Sequence, residues 1–276
     1  MQMPYFDLLL HERREGGETG QLWDQQVHWG YWEHPEKADG TRADYVAAMR
    51  QMDAELLKAG KVADGQRVLD VGCGFGGTIQ RINAENCDMH LTGLNIDPRQ
   101  LAAAEAQTTA VASNTIDWIE ADACQLPFDA DSFDRVLAVE CIFHFPSRER
   151  FLAEAARVLK PGGYVAVSDF VPSISLLAKT PFWVAIRHRI EKSYGTLGSI
   201  PLRGYRSMGK RAGLELAANR NIRRNTSPTY PFLINFFREQ GSADAKKTLV
   251  VGTRWIKWLS RFGLIQYRVY TFHKPL

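Results

Sequence analysis

Hydrophobic positions along the chain fall into two kinds of pattern: short, nearly unbroken runs, and longer stripes in which apolar residues return every three or four positions. The first suits strands buried on both faces, the second amphipathic helices. Val68–Val71 is such a run, and further strands are expected at 90–96, 115–120, 133–140, 164–170, 214–223 and 264–273. Stripes lie between them. After a capping Ser147, the residues Phe151, Leu152, Ala155, Val158 and Leu159 share one helical side, and Leu159-Lys-Pro-Gly-Gly163 stops the helix sharply. Asp97 suits a cap and Pro98 a first turn for another helix. Ahead of the first strand, Tyr45, Met49, Met52, Leu56 and Leu57 mark a helix over about 43–59 that ends at Gly60. Strands alternating with helices predict an α/β fold around a mostly parallel sheet.

The pattern divides the chain. Residues 1–62 are expected as an N-terminal helical cap over the active site and 63–171 as the cofactor-binding core. Residues 172–203 read as an inserted cap, and 204–276 as the completion of the sheet with a second helical insertion at 225–261. There Val251, Trp255, Trp258 and Phe262 recur at helical spacing, and the stripe of Trp255, Trp258 and Phe262 is expected in the core rather than in a substrate wall.

Composition adds little until charge is divided. With 276 residues, 45% hydrophobic and 24% charged, the chain can bury one full core. The opening leucines run straight into His11-Glu-Arg-Arg-Glu15, too short and too charged for a signal peptide, and no apolar run nears the roughly 20 residues of a membrane helix. Cys73, Cys87, Cys124 and Cys141 form no C-x-x-C pair and read as reduced thiols of a cytoplasmic protein. The net charge of +3 conceals 15 Lys/Arg against 27 Asp/Glu through residue 171, and 19 against 4 from 172 onward. That basic half could face an anionic apolar substrate, a membrane surface or an acidic carrier protein, or simply be solvated. Long apolar segments among its basic residues, and the lack of any recognised motif, argue against nucleic acid.

The candidate chemistry centres on Arg67-Val-Leu-Asp-Val-Gly-Cys-Gly-Phe-Gly-Gly-Thr78, a strand running into a glycine turn and a helix start. Gly72, Gly74 and Gly77 also satisfy the dinucleotide fingerprint G-x-G-x-x-G, so the turn alone leaves two ligands open. Charge separates them. Asp70, Asp97, Asp122 and Glu140 make an acidic rim that repels a pyrophosphate and suits a cation.

At Asp70-x-Gly72-x-Gly74-x-Gly76 the stretch resembles the cofactor loop of class I methyltransferases, whose S-adenosylmethionine carries a sulfonium and an ammonium. Ala121-Asp-Ala-Cys-Gln-Leu-Pro-Phe128 resembles the D-A-x-x-L-P-F motif of the same family, and Leu159-Lys-Pro-Gly-Gly163 its L-K-P-G-G motif. The resemblance implies a seven-stranded, mostly parallel Rossmann-like sheet with helices on both faces, plus an N-terminal helical segment and an inserted helical cap. It also implies a cofactor site made of Asp70, Gly72, Cys73, Gly74 and Gly76 with Asn95, Ile96, Gln100, Asp122, Ala123 and Glu140. Asn95 stands where the family usually presents an acid to the ribose hydroxyls, which an amide can also bond. Val27-His-Trp-Gly-Tyr-Trp32 is similar to a segment that in many relatives lies over cofactor and acceptor; a hydrophobic plug is the other reading of His28 and Trp29.

Val139-Glu-Cys-Ile-Phe-His144 resembles the E-x-x-x-H segment of sterol and tocopherol methyltransferases, in which the acid faces the reaction. Glu140, His144 and Tyr230 are thus the candidate catalytic residues, and Tyr31, Trp32, Tyr205, Arg206, Tyr230 and Phe232 the candidate acceptor contacts. Two acceptors stay open: a hydroxyl or carboxylate of a hydrophobic metabolite, or an isoprenoid double bond whose cation aromatic faces would stabilise. Arg187, Arg189, Arg203, Arg206, Arg223 and Arg224 could grip an anionic head group, with Mg²⁺ if that group is a diphosphate; the sequence has no metal-ligand spacing of its own. The expected partners are a small-molecule acceptor and, in a homo-oligomer, other copies of the chain. The alternative is a protein of this fold that binds the cofactor without methyl transfer, as a cyclase or regulator.

Overall fold

Seven strands form where the hydrophobic runs place them, and all join one sheet. They are β1 (Arg67–Val71), β2 (His90–Asn95), β3 (Thr115–Glu120), β4 (Phe133–Ala138), β5 (Leu159–Pro172), β6 (Glu215–Asn221) and β7 (Ile265–His273). Their spatial order is β3-β2-β1-β4-β5-β7-β6. The first five run parallel; β7 is antiparallel to both β5 and β6. The computed structural model describes residues 4–23, 26–173, 181–195, 204–240 and 243–276.

Alternation along each strand sends side chains to two cores. On one face Leu69, Val71, Val136, Val165 and Tyr270 meet Phe151, Leu152 and Ala155 of α6 (Arg148–Val158) and Tyr205 of α8 (Gly204–Arg211). On the other, Val68, Leu137, Ala166 and Val269 meet Met52 and Leu56 of α3 (Arg42–Gly60) and Ile79 and Ile82 of α4 (Gly77–Glu85). Helix α3, expected within the cap, is therefore a layer of the core. Thr41 caps its start by accepting from the Asp44 N–H at 3.1 Å. Helix α5 (Pro98–Gln107) starts at Pro98 after Asp97, whose carboxylate accepts from the Arg99 N–H at 2.9 Å.

A second set of helices covers the carboxyl ends of the strands. Two N-terminal helices, α1 (Pro4–Arg14) and α2 (Glu18–Leu22), share an apolar cluster with α9 (Thr229–Gln240) and α10 (Ala243–Arg261), through Leu9, Leu22, Phe237 and Leu249. Helix α7 (Pro181–Tyr194) packs on α10 through Ile186, Ile190 and Ile256. No described helix is long and apolar enough to cross a membrane.

Three expectations change here. Strand β4 stops at Ala138 rather than at 140, because Glu140 takes a left-handed conformation with φ of 50°. Strand β5 begins at Leu159, which pairs with Phe133 across a register shift. Of the stripe on α10 only Trp255 meets the core, half-buried against the cluster that α7 and α10 share, whereas Trp258 is 40% exposed and Phe262, just beyond the helix, 61%.

Candidate functional site

The strand order reverses between β1 and β4, which carry the chain away in opposite directions across the sheet. In open α/β sheets that crevice, beyond the carboxyl ends of the strands, is where ligands bind. A cavity of about 910 Å³, partly open to solvent, lies there. Its floor is the glycine turn. Gly72 holds φ of 74°, and a Cβ at that position would stand 2.6 Å from the Cys141 Cβ, so the close passage of the β1 and β4 loops requires glycine. Gly74, with φ of 56°, turns its bare Cα toward the cavity, where a Cβ would fill space meant for a ligand.

Each residue expected to bind the cofactor is near this crevice, and ten of the eleven line the cavity: Asp70, Gly72, Cys73, Gly74, Asn95, Ile96, Gln100, Asp122, Ala123 and Glu140. Gly76 instead packs beneath the loop, where a Cβ would meet the Trp118 ring at 2.7 Å. Asp70 is 1% exposed, and its Oδ1 accepts no hydrogen bond among the described residues. Burial, reinforced by the nearby Asp53 carboxylate and opposed by His28, pushes its carboxyl up to about 7. An orphaned acid of this kind calls for a cationic ligand. Asn95 is committed in part: its amide donates to Gln100 Oε1 at 2.8 Å while its Oδ1 accepts from the Ile96 N–H at 2.8 Å. Asp122 accepts from the Cys124 N–H through Oδ1, at 2.8 Å.

Behind the first cavity lies a second, of about 700 Å³, and the two share Val27, His28, Glu140 and His144 as walls. Trp29, Phe143, Phe170, Ile190, Ile256 and Ile265 are among its other walls, and among the described residues no Lys or Arg lines it. Glu140 stands at the junction. Its Oε1 accepts from the Trp29 N–H at 2.8 Å and from the Tyr267 hydroxyl, while its own N–H donates to Ser168 Oγ at 2.9 Å. Burial raises its carboxyl to about 7 against the pull of His28, Tyr267 and Trp29. A non-glycine residue held at positive φ is strained, and here that strain turns the carboxylate of a strand-end residue into the junction.

The other charge at the junction is His28. Its Nδ1 faces the Trp29 carbonyl at 3.1 Å and its Nε2 faces Asp53 Oδ1 at 3.1 Å. With an acceptor on each side the ring keeps both protons. Burial works against that cation, but the Asp53 carboxylate outweighs it, with help from Glu140 and the Trp29 carbonyl, and the ring is raised to about 9. Asp53 also accepts from Thr78 Oγ1 at 3.2 Å and from the Gln26 amide, so one fully buried acid ties the aromatic segment to the start of α4.

The candidate acceptor contacts fare differently. Tyr31, Trp32, Tyr205, Arg206, Tyr230 and Phe232 line neither cavity. Tyr31 turns into the α3 core, and Trp32 Nε1 donates to Asp44 at 2.9 Å. Phe232 stacks on Tyr45 with centroids 4.2 Å apart. Tyr205 lies in the opposite core, where its hydroxyl donates at 2.7 Å to Asp169, the buried partner of Arg148, and Arg206 faces solvent. Tyr230, expected as a catalytic residue, sits one layer behind, edge-on to the Trp29 ring at 4.5 Å. The gripping arginines are also elsewhere: Arg187 pairs with Glu191 at 2.7 Å, Arg223 donates to the Ser260 carbonyl, and Arg224 approaches Glu36 at 3.9 Å. Arg203 lies outside the described residues.

Asp53, Tyr267, Phe170 and Tyr194 are the residues that no motif announced, and Phe143 stood only at an unspecified position of the E-x-x-x-H segment. Asp53 did carry a signal, as an acid inside the apolar stripe between Met52 and Leu56. Tyr267 carried none beyond sharing a strand face with Ile265 and Val269.

A family described as Methyltransferase domain matches residues 69–167, which span the glycine loop, the strand ends and Glu140. Over 217 residues the chain is 32% identical to the 27-O-demethylrifamycin SV methyltransferase of Amycolatopsis mediterranei, covering 76% of this chain and 74% of that one. The chain belongs to the class I S-adenosylmethionine-dependent methyltransferases. This methyltransferase is also 29% identical over 258 residues to the methyltransferase GfsG of Streptomyces halstedii, covering 89% of this chain and 85% of that one. In fold it is similar to the mycolic acid cyclopropane synthase CmaA1 in complex with S-adenosylhomocysteine, at a TM-score of 0.77 and 15% identity, over 92% of this chain and 94% of that one.

Proposed function

We propose that this methyltransferase methylates a hydroxyl oxygen of a neutral, largely apolar small molecule, with Glu140 as the general base. One observation carries the reading: among the described residues the second cavity is walled mainly by rings and aliphatic side chains with no Lys or Arg, its one cation, His28, is already committed to Asp53 and the Trp29 carbonyl, and its one carboxylate, Glu140, stands where it meets the cofactor cavity. With His28 committed to Asp53, a diphosphate or carboxylate buried there would find no spare counter-charge among the described residues, at a cost of several kcal/mol or about three orders of magnitude in affinity. A neutral acceptor, without Mg²⁺, is therefore the better fit. The relative from Amycolatopsis, named for an oxygen methylation, supports the choice of atom.

When bound, S-adenosylmethionine supplies an electrophilic methyl group on its sulfonium. Asp70 would hold the ammonium end of that ligand, Asp122 the adenine amino group, and Asn95 with Gln100 the ribose. Glu140 takes the hydroxyl proton on Oε2, since both of its bonds from described residues fall on Oε1. A base with pKa near 7 is half ionised at neutral pH and strong enough to help an alcohol or phenol lose its proton as the new bond forms. The apolar walls exclude water, which would compete for the methyl group. His144 shares the junction and is the second candidate to take a proton.

A second reading, carbon methylation of a neutral alkene, draws on the Trp29, Phe143 and Phe170 rings, whose faces could stabilise a carbocation before Glu140 removes a proton. A panel of hydrophobic alcohols, phenols, prenyl alcohols and prenyl diphosphates, with S-adenosylhomocysteine as the readout and product NMR to locate the methyl group, tests both. Neutral hydroxyl compounds should turn over with the methyl group on oxygen; turnover of diphosphates alone would refute the reading. For the cofactor site, Asp70→Asn should weaken S-adenosylhomocysteine binding by about 10–100-fold in calorimetry, the loss of one charge-assisted bond. Wild-type affinity should fall as pH drops through about 7, because protonated Asp70 no longer attracts an ammonium, and the variant should lose that dependence.

A further inference from the structure

We propose that the outer face of α7 and α10 is a docking surface for an anionic lipid bilayer. The two helices pack side by side, and the Arg189 guanidinium lies 5.9 Å from the Trp255 ring centroid, so their outer faces form one surface. Large apolar side chains stand out on it: Val184 is 57% exposed, Trp258 40% and Phe262 61%. Arg189 and Lys192 from α7, with Arg254, Lys257 and Arg261 from α10, surround them and are all exposed. Among the described residues none of these five cations has an ion pair. The two helices carry only two acids between them. Glu191, the one acid of α7, is taken by Arg187, and the one acid of α10, Asp244, precedes Trp258 by four turns, about 21 Å along the axis.

Rings and basic side chains on one helical face are the composition that lies well in a bilayer interface, where indole and phenyl groups enter the head-group level and Lys/Arg meet anionic lipid. An acidic carrier protein would satisfy the cations but not the rings standing out beside them. The opposite faces of the same helices give Ile190, Tyr194 and Ile256 to the second cavity, so the surface is one helix thickness from the acceptor site. A protein docked this way would hold its acceptor cavity about one helix thickness from a lipid-dissolved acceptor. That purpose rests on the proposed acceptor; the docking itself does not.

The full chain, without cofactor or acceptor, is sedimented with vesicles of equimolar phosphatidylglycerol and phosphatidylcholine, and with vesicles of phosphatidylcholine alone. Binding to the anionic vesicles, weak on the neutral ones and weakened by salt, is the expected result. Trp258→Ser/Phe262→Ser and Lys257→Glu/Arg261→Glu should each lower the partition coefficient by about 10-fold or more, while turnover of a water-soluble acceptor stays unchanged, which also shows that both variants fold. A chain that stays in the supernatant with anionic vesicles overturns the proposal, as do folded variants that bind like the wild type. Binding to an acidic carrier protein with none to vesicles overturns it as well and assigns the face to a protein.

Discussion

Glu140→Gln is expected to lower kcat by about 10²–10⁴-fold, the range by which a positioned base accelerates proton removal. The substitution keeps the size of the side chain and an oxygen that can accept from Tyr267 and the Trp29 N–H, so the junction retains its shape. Cofactor affinity should change far less than turnover, because Asp70 and the glycine turn hold the other end of that site. The pH profile gives the sign independently. Glu140 acts as a base only when ionised, so kcat/KM of the wild type should rise with pH, reach half its plateau near 7, and level off above. In Glu140→Gln that limb should disappear. Turnover within threefold of wild type would remove Glu140 from the chemistry and leave His144 as the base.

His28→Ala should cost about 3–5 kcal/mol of stability, the usual result of taking one member from a buried ion pair and leaving the other charge alone. Asp53, 0% exposed, would keep only Thr78 and Gln26 as partners. The linkage runs one way. His28 has its folded pKa raised, from 6.5 to about 9, so its contribution is complete below about 6.5 and is lost as pH climbs through 9. At about 1.4 kcal/mol per pKa unit the pair is worth roughly 3 kcal/mol in this sense. Urea unfolding at pH 6, 8 and 10 should show wild-type stability falling across that interval more steeply than in a His28→Leu/Asp53→Leu double variant. Parallel curves would mean that His28 is neutral in the folded protein. The same variant reports on function: with the tether between the aromatic segment and α4 gone, the junction should loosen and KM for the acceptor should rise.

Much of the sheet was legible because burial on both faces leaves short, mainly apolar stretches: Val165–Val167 is unbroken, while Val68–Val71 is interrupted only by Asp70 and Leu91–Leu94 only by Thr92 and Gly93. The cofactor side was legible for a related reason. Its residues sit on one loop or at strand ends, so local motifs place them, and all but Gly76 face the cavity. The acceptor side is assembled from eight separate parts of the chain, and no local pattern states which face of α7, α9 or α10 turns inward. Tyr31 and Trp32 belonged to the correct segment, yet only Val27, His28 and Trp29 reach the cavities. Arginines failed as a guide because a count of charges says nothing about direction. Among the described residues, the arginines expected around the acceptor bind surface acids and carbonyl groups or face solvent, and the surface of α7 and α10 takes its own share.

The most direct measurement is a crystal structure of the complex with S-adenosylhomocysteine. The account predicts the ammonium group against Asp70 and the sulfur at the junction bordered by Val27, His28, Glu140 and His144, pointing into the cavity walled by Trp29, Phe143 and Phe170. A sulfur directed to solvent, or a closed wall between the sulfur and that apolar cavity, would contradict it.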